Sequence, residues 1–159
     1  MADEEGQSEA LAYVWNINGL IEAQRGHWRG AIAASDRALE VFGEIGDYNL
    51  EAELWWTRSA FHICAGDFRG AEPCWTRTRE LAARNENPQL ECWSLLDEVQ
   101  TQVGRGAVDA ASRALEAALA IETAASDGGT LIEKHYATAA TRLLEGRHDE
   151  AVAAADAVI

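Results

Sequence analysis

Proline, cysteine and positive charge are all scarce in this sequence of 159 residues. Two prolines, Pro73 and Pro88, leave long windows uninterrupted. Strand-like alternation of polar and apolar residues is missing from those windows, whereas alanine, leucine and glutamate abound, so an all-α fold is predicted. The three cysteines, Cys64, Cys74 and Cys92, are odd in number and show no short pair spacing. They read as reduced thiols of a cytoplasmic protein. Lysine and arginine number 13 against 27 aspartates and glutamates, a formal net charge of −14. A polyanionic surface repels phosphate backbones and anionic lipid heads, so neither nucleic acid nor a membrane surface is expected as a partner. No apolar run approaches the ~20 residues that span a bilayer. The acidic start, Met1 to Glu5, lacks the apolar stretch of a signal peptide. What is present is 48% hydrophobic residues, enough for the core of one domain.

Against that background a ruler stands out. Gly26, Gly66, Gly106 and Gly146 are spaced by 40 residues without insertion. Two places after them stand Trp28, Phe68, Val108 and His148, and five places after them Ala31, Ala71, Ala111 and Ala151. Twelve places after come Ala38, Thr78, Ala118 and Val158, and seven places before come Gly19, Ser59, Val99 and Ala139. A constant period of this size is the mark of stacked repeats. Small residues at three sites of a helical hairpin, with larger ones at fixed offsets, form a packing code for such stacking.

Each period reads as two antiparallel helices. A glycine able to adopt a left-handed conformation ends the first, and the second begins two residues later. The predicted pairs are 9–24 with 28–42, 50–65 with 68–84, 88–103 with 108–123, and 130–145 with 148 onward. Units of 9–47, 48–87, 88–127 and 128–159 follow, the last incomplete, after an acidic leader at 1–8. Asp67 and Asp149 stand where acidic groups meet the positive end of a helix dipole. Asn87 is a predicted N-cap before Pro88, whose missing N–H costs nothing in a first turn.

The pattern resembles the tetratricopeptide repeat. Gly66-Asp67-Phe68-Arg69-Gly70-Ala71 is close to the turn of that family, and Gly26 to Ala31 is a looser copy. Trp15, Trp55, Leu95 and His135 stand where the family places an aromatic early in the first helix. Val108 and His148 depart from the family aromatic, Thr78 replaces a family alanine, and the period exceeds the usual 34. The longer units look like those of large bacterial signalling proteins, where they follow an ATPase module, a nucleotide cyclase or a transcriptional activator. The resemblance implies a right-handed α-solenoid of four repeats, about eight helices, whose first helices line a concave groove.

By that analogy the groove positions are Tyr13, Glu53, Trp93 and Glu133; Asn16, Trp56, Leu96 and Tyr136; Leu20, Ala60, Gln100 and Ala140; and Ala23, Ile63, Val103 and Leu143. None is lysine or arginine, so the basic clamp that some family members close on a peptide carboxylate is not expected. An apolar helical or extended protein segment suits the groove better. Tyr13, Trp56, Trp93 and Tyr136 are its anchors, with Asn16, Leu20, Glu53, Leu96, Gln100 and Glu133 around them. Trp15, Trp28, Trp55, Phe68 and Trp75 read instead as core.

No catalytic grouping, cofactor site or metal site is read from the sequence. His62 and Cys64 point in different directions on one helix. His27 and His148 sit at helix starts as solvated imidazoles. Asp3-Glu4-Glu5, Asp97-Glu98 and Asp149-Glu150 read as solvated acidic runs. The expectation is therefore a non-catalytic interaction scaffold. Alternatives are an oligomerisation or spacer module, and a small-molecule sensor or all-α enzyme using Glu53, Glu133, Asn16 and Tyr136. Val152, Ala155, Val158 and Ile159 lack a covering helix: either this sequence belongs to a longer polypeptide or another chain covers that end, and the oligomerisation reading expects a homodimer through this C-terminal helix.

Overall fold

The computed structural model describes residues 2–42, 48–121 and 128–157, with the side chains of all but 2–6 and 9. Val158, Ile159 and Thr123 of the sequence reading lie outside these residues. The described residues form eight helices and no strand: α1 (Ala2–Gln24), α2 (Trp28–Phe42), α3 (Tyr48–Cys64), α4 (Phe68–Arg84), α5 (Pro88–Gly104), α6 (Val108–Ala120), α7 (Gly128–Leu144) and α8 (His148–Asp156). None is long and apolar enough to cross a membrane. The fold is all-α. Helices pack in consecutive pairs, α1 on α2, α3 on α4, α5 on α6 and α7 on α8, and each pair rests on the next.

Two boundaries differ from expectation. Helix α1 starts at Ala2, so the segment read as a leader supplies its first turns. No proline interrupts that segment. Helix α6 stops at Ala120, because Ile121 is extended at φ −79° and ψ 119°. The Lys134 ammonium donates to the Ile121 carbonyl at 2.8 Å, satisfying an end that would otherwise lack a partner.

The ruler glycines all adopt left-handed backbone, with φ of 75°, 73°, 71° and 76°. A Cβ at these sites would meet nothing within 4 Å, so conformation rather than space demands glycine. Each closes its helix alike: Asp67 N–H donates to the His62 carbonyl at 2.9 Å, as His27 does to Glu22, Ala107 to Gln102 and Arg147 to Arg142. The α4–α5 turn repeats this geometry, Asn87 N–H reaching the Ala82 carbonyl at 2.9 Å, yet its left-handed residue is Glu86 at φ 51°. One turn shape thus serves within units and between the second and third. Opposite substitutions are expected to have opposite signs in thermal unfolding. Gly66→Ala costs about 1–2 kcal/mol, and Glu86→Gly recovers a fraction of that, since glycine relieves the strain but loses chain entropy.

The caps match the sequence. The Asp67 carboxylate accepts from Gly70 N–H at 3.0 Å, and the Asn87 side chain accepts from Leu90 N–H at 3.1 Å. The small-residue code is buried as predicted: Ala31, Ala71 and Ala111 are fully enclosed, as are Ala38, Thr78 and Ala118. At Gly19 an added Cβ would press on the Ala31 carbonyl and the Phe61 ring, so the glycine allows α1 to approach both α2 and α3. The Phe68 ring packs on Gly104, filling the elbow of α4 against α5. Val108 and His148, at the same place in later units, are exposed and fill no elbow. Trp75 is buried, while Trp15, Trp28, Trp55 and Phe68 are half-buried.

The core runs as three clusters along the stack. Ala12, Ala38, Phe42 and Leu54 join α1, α2 and α3. Ala52, Leu81, Ala82 and Leu90 join α3, α4 and α5. Cys92, Leu95, Leu96, Val99, Ala114, Leu115, Ala118 and Ala137 join α5, α6 and α7. Helix α5 is therefore enclosed on most sides, and α3 and α7 also touch it. Arginines tie the seams: Arg58 to Asp36 at 2.8 Å, Arg79 to Glu98 at 2.6 Å, and Arg105 to Glu72 at 2.8 Å.

Candidate protein-binding groove

The residues predicted to line a groove divide into three groups. The first holds the four aromatic residues. Trp56 on α3 and Trp93 on α5 stack with centroids 4.3 Å apart and planes 21° from parallel. The Trp93 indole N–H donates to Thr130 Oγ1 at 2.8 Å, and Gln89 also donates to that oxygen, so two side chains of α5 are pinned to the start of α7. Both tryptophans are half-buried, and one ring face of each is spent on the stack. Tyr13 meets Phe42 edge-on at 6.0 Å. Tyr136 is 62% exposed.

The second group converges on a depression. Ile63 of α3, Gln100 and Val103 of α5, and Tyr136 and Ala140 of α7 line a hollow of about 210 Å³ together with Phe68, Val99, Gly104 and Ala137. Five of the sixteen predicted positions thus meet from three successive first helices. Its wall is aliphatic and aromatic, with the Gln100 amide as a directional polar group. Next to it, Tyr136, Ala140 and Leu143 border an apolar trough of about 460 Å³ against Ala151, Val152 and Ala155 of α8. Glu53 is exposed and Glu133 half-buried.

The third group lies elsewhere. Leu96 is 1% exposed and belongs to the α5–α6–α7 core. It cannot reach a ligand, because α5 sits centrally and is covered where its counterpart Tyr136 on α7 is open. Asn16 is half-buried, and its Oδ1 is enclosed without a hydrogen bond. Leu20 lies exposed on α1.

One group escaped the sequence reading. Asp97 is not a solvated residue but 5% exposed, buried on α5. Burial pushes its carboxyl from 3.8 up to about 8, the Ser59 hydroxyl of α3 opposes that rise, and the charge of Glu133 on α7 adds to it. Ser59 faces the carboxyl without completing a well-formed hydrogen bond, and Asp97 Oδ2 is left with no partner. Its charge in turn helps raise the thiols of Cys64 on α3 and Cys74 on α4, where burial is the larger cause. The register held a clue: 40 residues later the same site is the enclosed Ala137. Its neighbour Glu98 is half-buried and paired with Arg79.

His62 is buried with Nδ1 2.9 Å from Asp67 Oδ2, whereas Cys64 is exposed, so the two do not converge. His27 and His148 are exposed, and Asp149 and Glu150 are exposed in the first turn of α8. Among the described residues no cluster of three metal-ligating side chains forms. No protein-family model and no curated protein sequence matches this chain.

Proposed function

We propose that this chain is a non-catalytic interaction scaffold of the tetratricopeptide type. Its four helical pairs stack as a right-handed solenoid in the cytoplasm, within a bacterial signalling assembly. The groove formed by α3, α5 and α7 holds an apolar, helical segment of another protein. The observation that carries this reading is the convergence of Ile63, Gln100, Val103, Tyr136 and Ala140 on one hollow. Apolar walls take up one face of an amphipathic helix, read at helical spacing. The Trp56–Trp93 stack offers rigid edges close by, and aromatic anchors of this kind dominate binding energy. Glu53, Glu133 and the net charge of −14 favour lysine on the polar face of the guest.

A synthetic amphipathic helix of leucine and lysine is the direct probe. Fluorescence anisotropy is expected to show saturable binding that Ala140→Glu weakens about tenfold or more, since a carboxylate would then fill the hollow. Unchanged affinity in a folded Ala140→Glu protein would remove the groove from consideration. Trp56→Ala is expected to weaken the same peptide and also to abolish the exciton signal of the indole pair in near-ultraviolet circular dichroism.

A further inference from the structure

We propose that copies of this chain associate head to tail, the open face of α1 docking on the α7–α8 face of the next copy in the register that joins the chain's own units. Three observations carry this, and of the residues around the hollow between α3, α5 and α7 they name only Tyr136.

The first is the open face of α1. Val14, Ile17 and Ile21 are between 41% and 60% exposed. Their counterparts 40 residues on are Leu54 and Phe61, both buried, and half-buried Thr57. At 80 residues on they are Ser94, Asp97 and Thr101, all buried. In α3 and α5 this face is covered by the preceding unit. In α1 it is wholly apolar and uncovered, a stripe of the kind that marks an interface.

The second is the other end of the stack. Ala155 is exposed on α8, whereas Leu115, Trp75 and Ser35 at the same place in earlier units are buried. Beside it lies the apolar trough, with Tyr136, Leu143 and Val152 each 59–62% exposed. This end presents small residues and a trough where the α1 end presents branched ones.

The third is contact-level agreement in register. The Trp56–Trp93 stack joins the second unit to the third. Moving one copy along by two units puts Tyr136 where Trp56 stands and Tyr13 of the incoming copy where Trp93 stands, aromatic on aromatic again. Arg105 donates to the Phe68 carbonyl at 2.8 Å across that same internal joint. The corresponding pair across the new joint is Arg25, which donates to half-buried Glu22 of its own helix, and the His148 carbonyl. The interface between copies thus continues the one between units, which commits the occupant to a second copy. Such a joint is heterologous and does not close on itself, so it builds a linear series. The net charge of −14 opposes it, and added salt is expected to strengthen it.

Analytical ultracentrifugation of the whole chain tests this with two substitutions on exposed positions, Ile17→Glu and Ala155→Glu, folding being checked by circular dichroism. The wild type is expected to form a concentration-dependent series that grows with salt. Each variant alone is expected to be monomeric, having one blocked end. An equimolar mixture is expected to give a one-to-one dimer and nothing larger, because only one pair of open ends remains. A symmetric dimer through α8, visible as self-association of Ile17→Glu alone, would overturn the proposal. So would a wild type that stays monomeric at millimolar concentration in molar salt. Peptide binding in the α3–α5–α7 hollow of Ile17→Glu is expected to equal that of the wild type at dilutions where the wild type is monomeric, which separates failure of this joint from failure of the groove.

Discussion

Replacing Asp97 by asparagine is expected to stabilise the protein at alkaline pH and to flatten its stability between pH 4 and pH 8. The folded state holds the Asp97 proton up to about pH 8, against 3.8 for the unperturbed group. Below 3.8 both folded and unfolded chains carry the proton, and burial of the neutral acid brings no penalty from ionisation. Between those values the unfolded chain has released it while the folded chain keeps it. Stability then falls by about 1.4 kcal/mol for each pH unit. Above pH 8 the folded carboxyl ionises too, and the accumulated loss levels off at something on the order of 5 kcal/mol. The sign is thus opposite to that of an ordinary ion-paired aspartate, whose contribution is lost on acidification. Among the described residues, the charged or titratable side chains that act on the group or feel it are Glu133, Cys64 and Cys74, and none is positive. Asparagine keeps the shape and removes the titration, so subtracting the two stability profiles cancels the general repulsion of a polyanionic chain. Urea unfolding at a series of pH values reads that difference. Parallel wild-type and Asp97→Asn profiles would show that the carboxyl is hydrated or paired in solution.

How Asp97 escaped the sequence reading shows where sequence periodicity stops informing. The ruler located seven of the eight helix starts to within two residues, together with both side-chain caps, because turns and caps are local chemistry that each unit repeats. It also located the enclosed alanines, since a hairpin approaches equally closely in every unit. Position within the stack is another matter. Asn16, Trp56, Leu96 and Tyr136 occupy one register, yet Leu96 is enclosed and Tyr136 open, because α5 packs against α3, α4, α6 and α7 while α7 packs against α5, α6 and α8. Equal register therefore means equal direction from the helix axis, not equal burial. An acidic pair such as Asp97-Glu98 reads as surface on composition alone. Only the packing of α3, α5 and α7 together encloses one member and leaves the other at a seam with Arg79. Glu86 is a similar case: the turn it occupies is the ruler's own, but the residue that marks that turn elsewhere is glycine.

Leu96→Ala is expected to cost about 2–5 kcal/mol, the range for removing a fully enclosed leucine that leaves a cavity. Leu96 is packed among Cys92, Leu95, Val99, Leu115 and Ala137 in the cluster that holds α5, α6 and α7 together. The outcome reaches further than one site, since each unit of a stacked array contacts only its neighbours. Weakening the third unit is expected to uncouple the ends, so that unfolding followed by the Trp56–Trp93 signal and by overall helicity no longer coincides. Leu143→Ala supplies the contrast: that side chain is 59% exposed, and its loss is expected to change stability by no more than about 0.5 kcal/mol. Binding completes the argument. At low temperature, where Leu96→Ala remains folded, its affinity for the leucine–lysine peptide is expected to equal that of the wild type, because the side chain does not reach the hollow. Ala140→Glu is expected to behave in reverse, losing the peptide while retaining most of its stability. If Leu96→Ala instead unfolds no earlier but binds more weakly, α5 must turn its Leu96 face to the groove in solution, and the division between core and groove drawn along this helix is wrong.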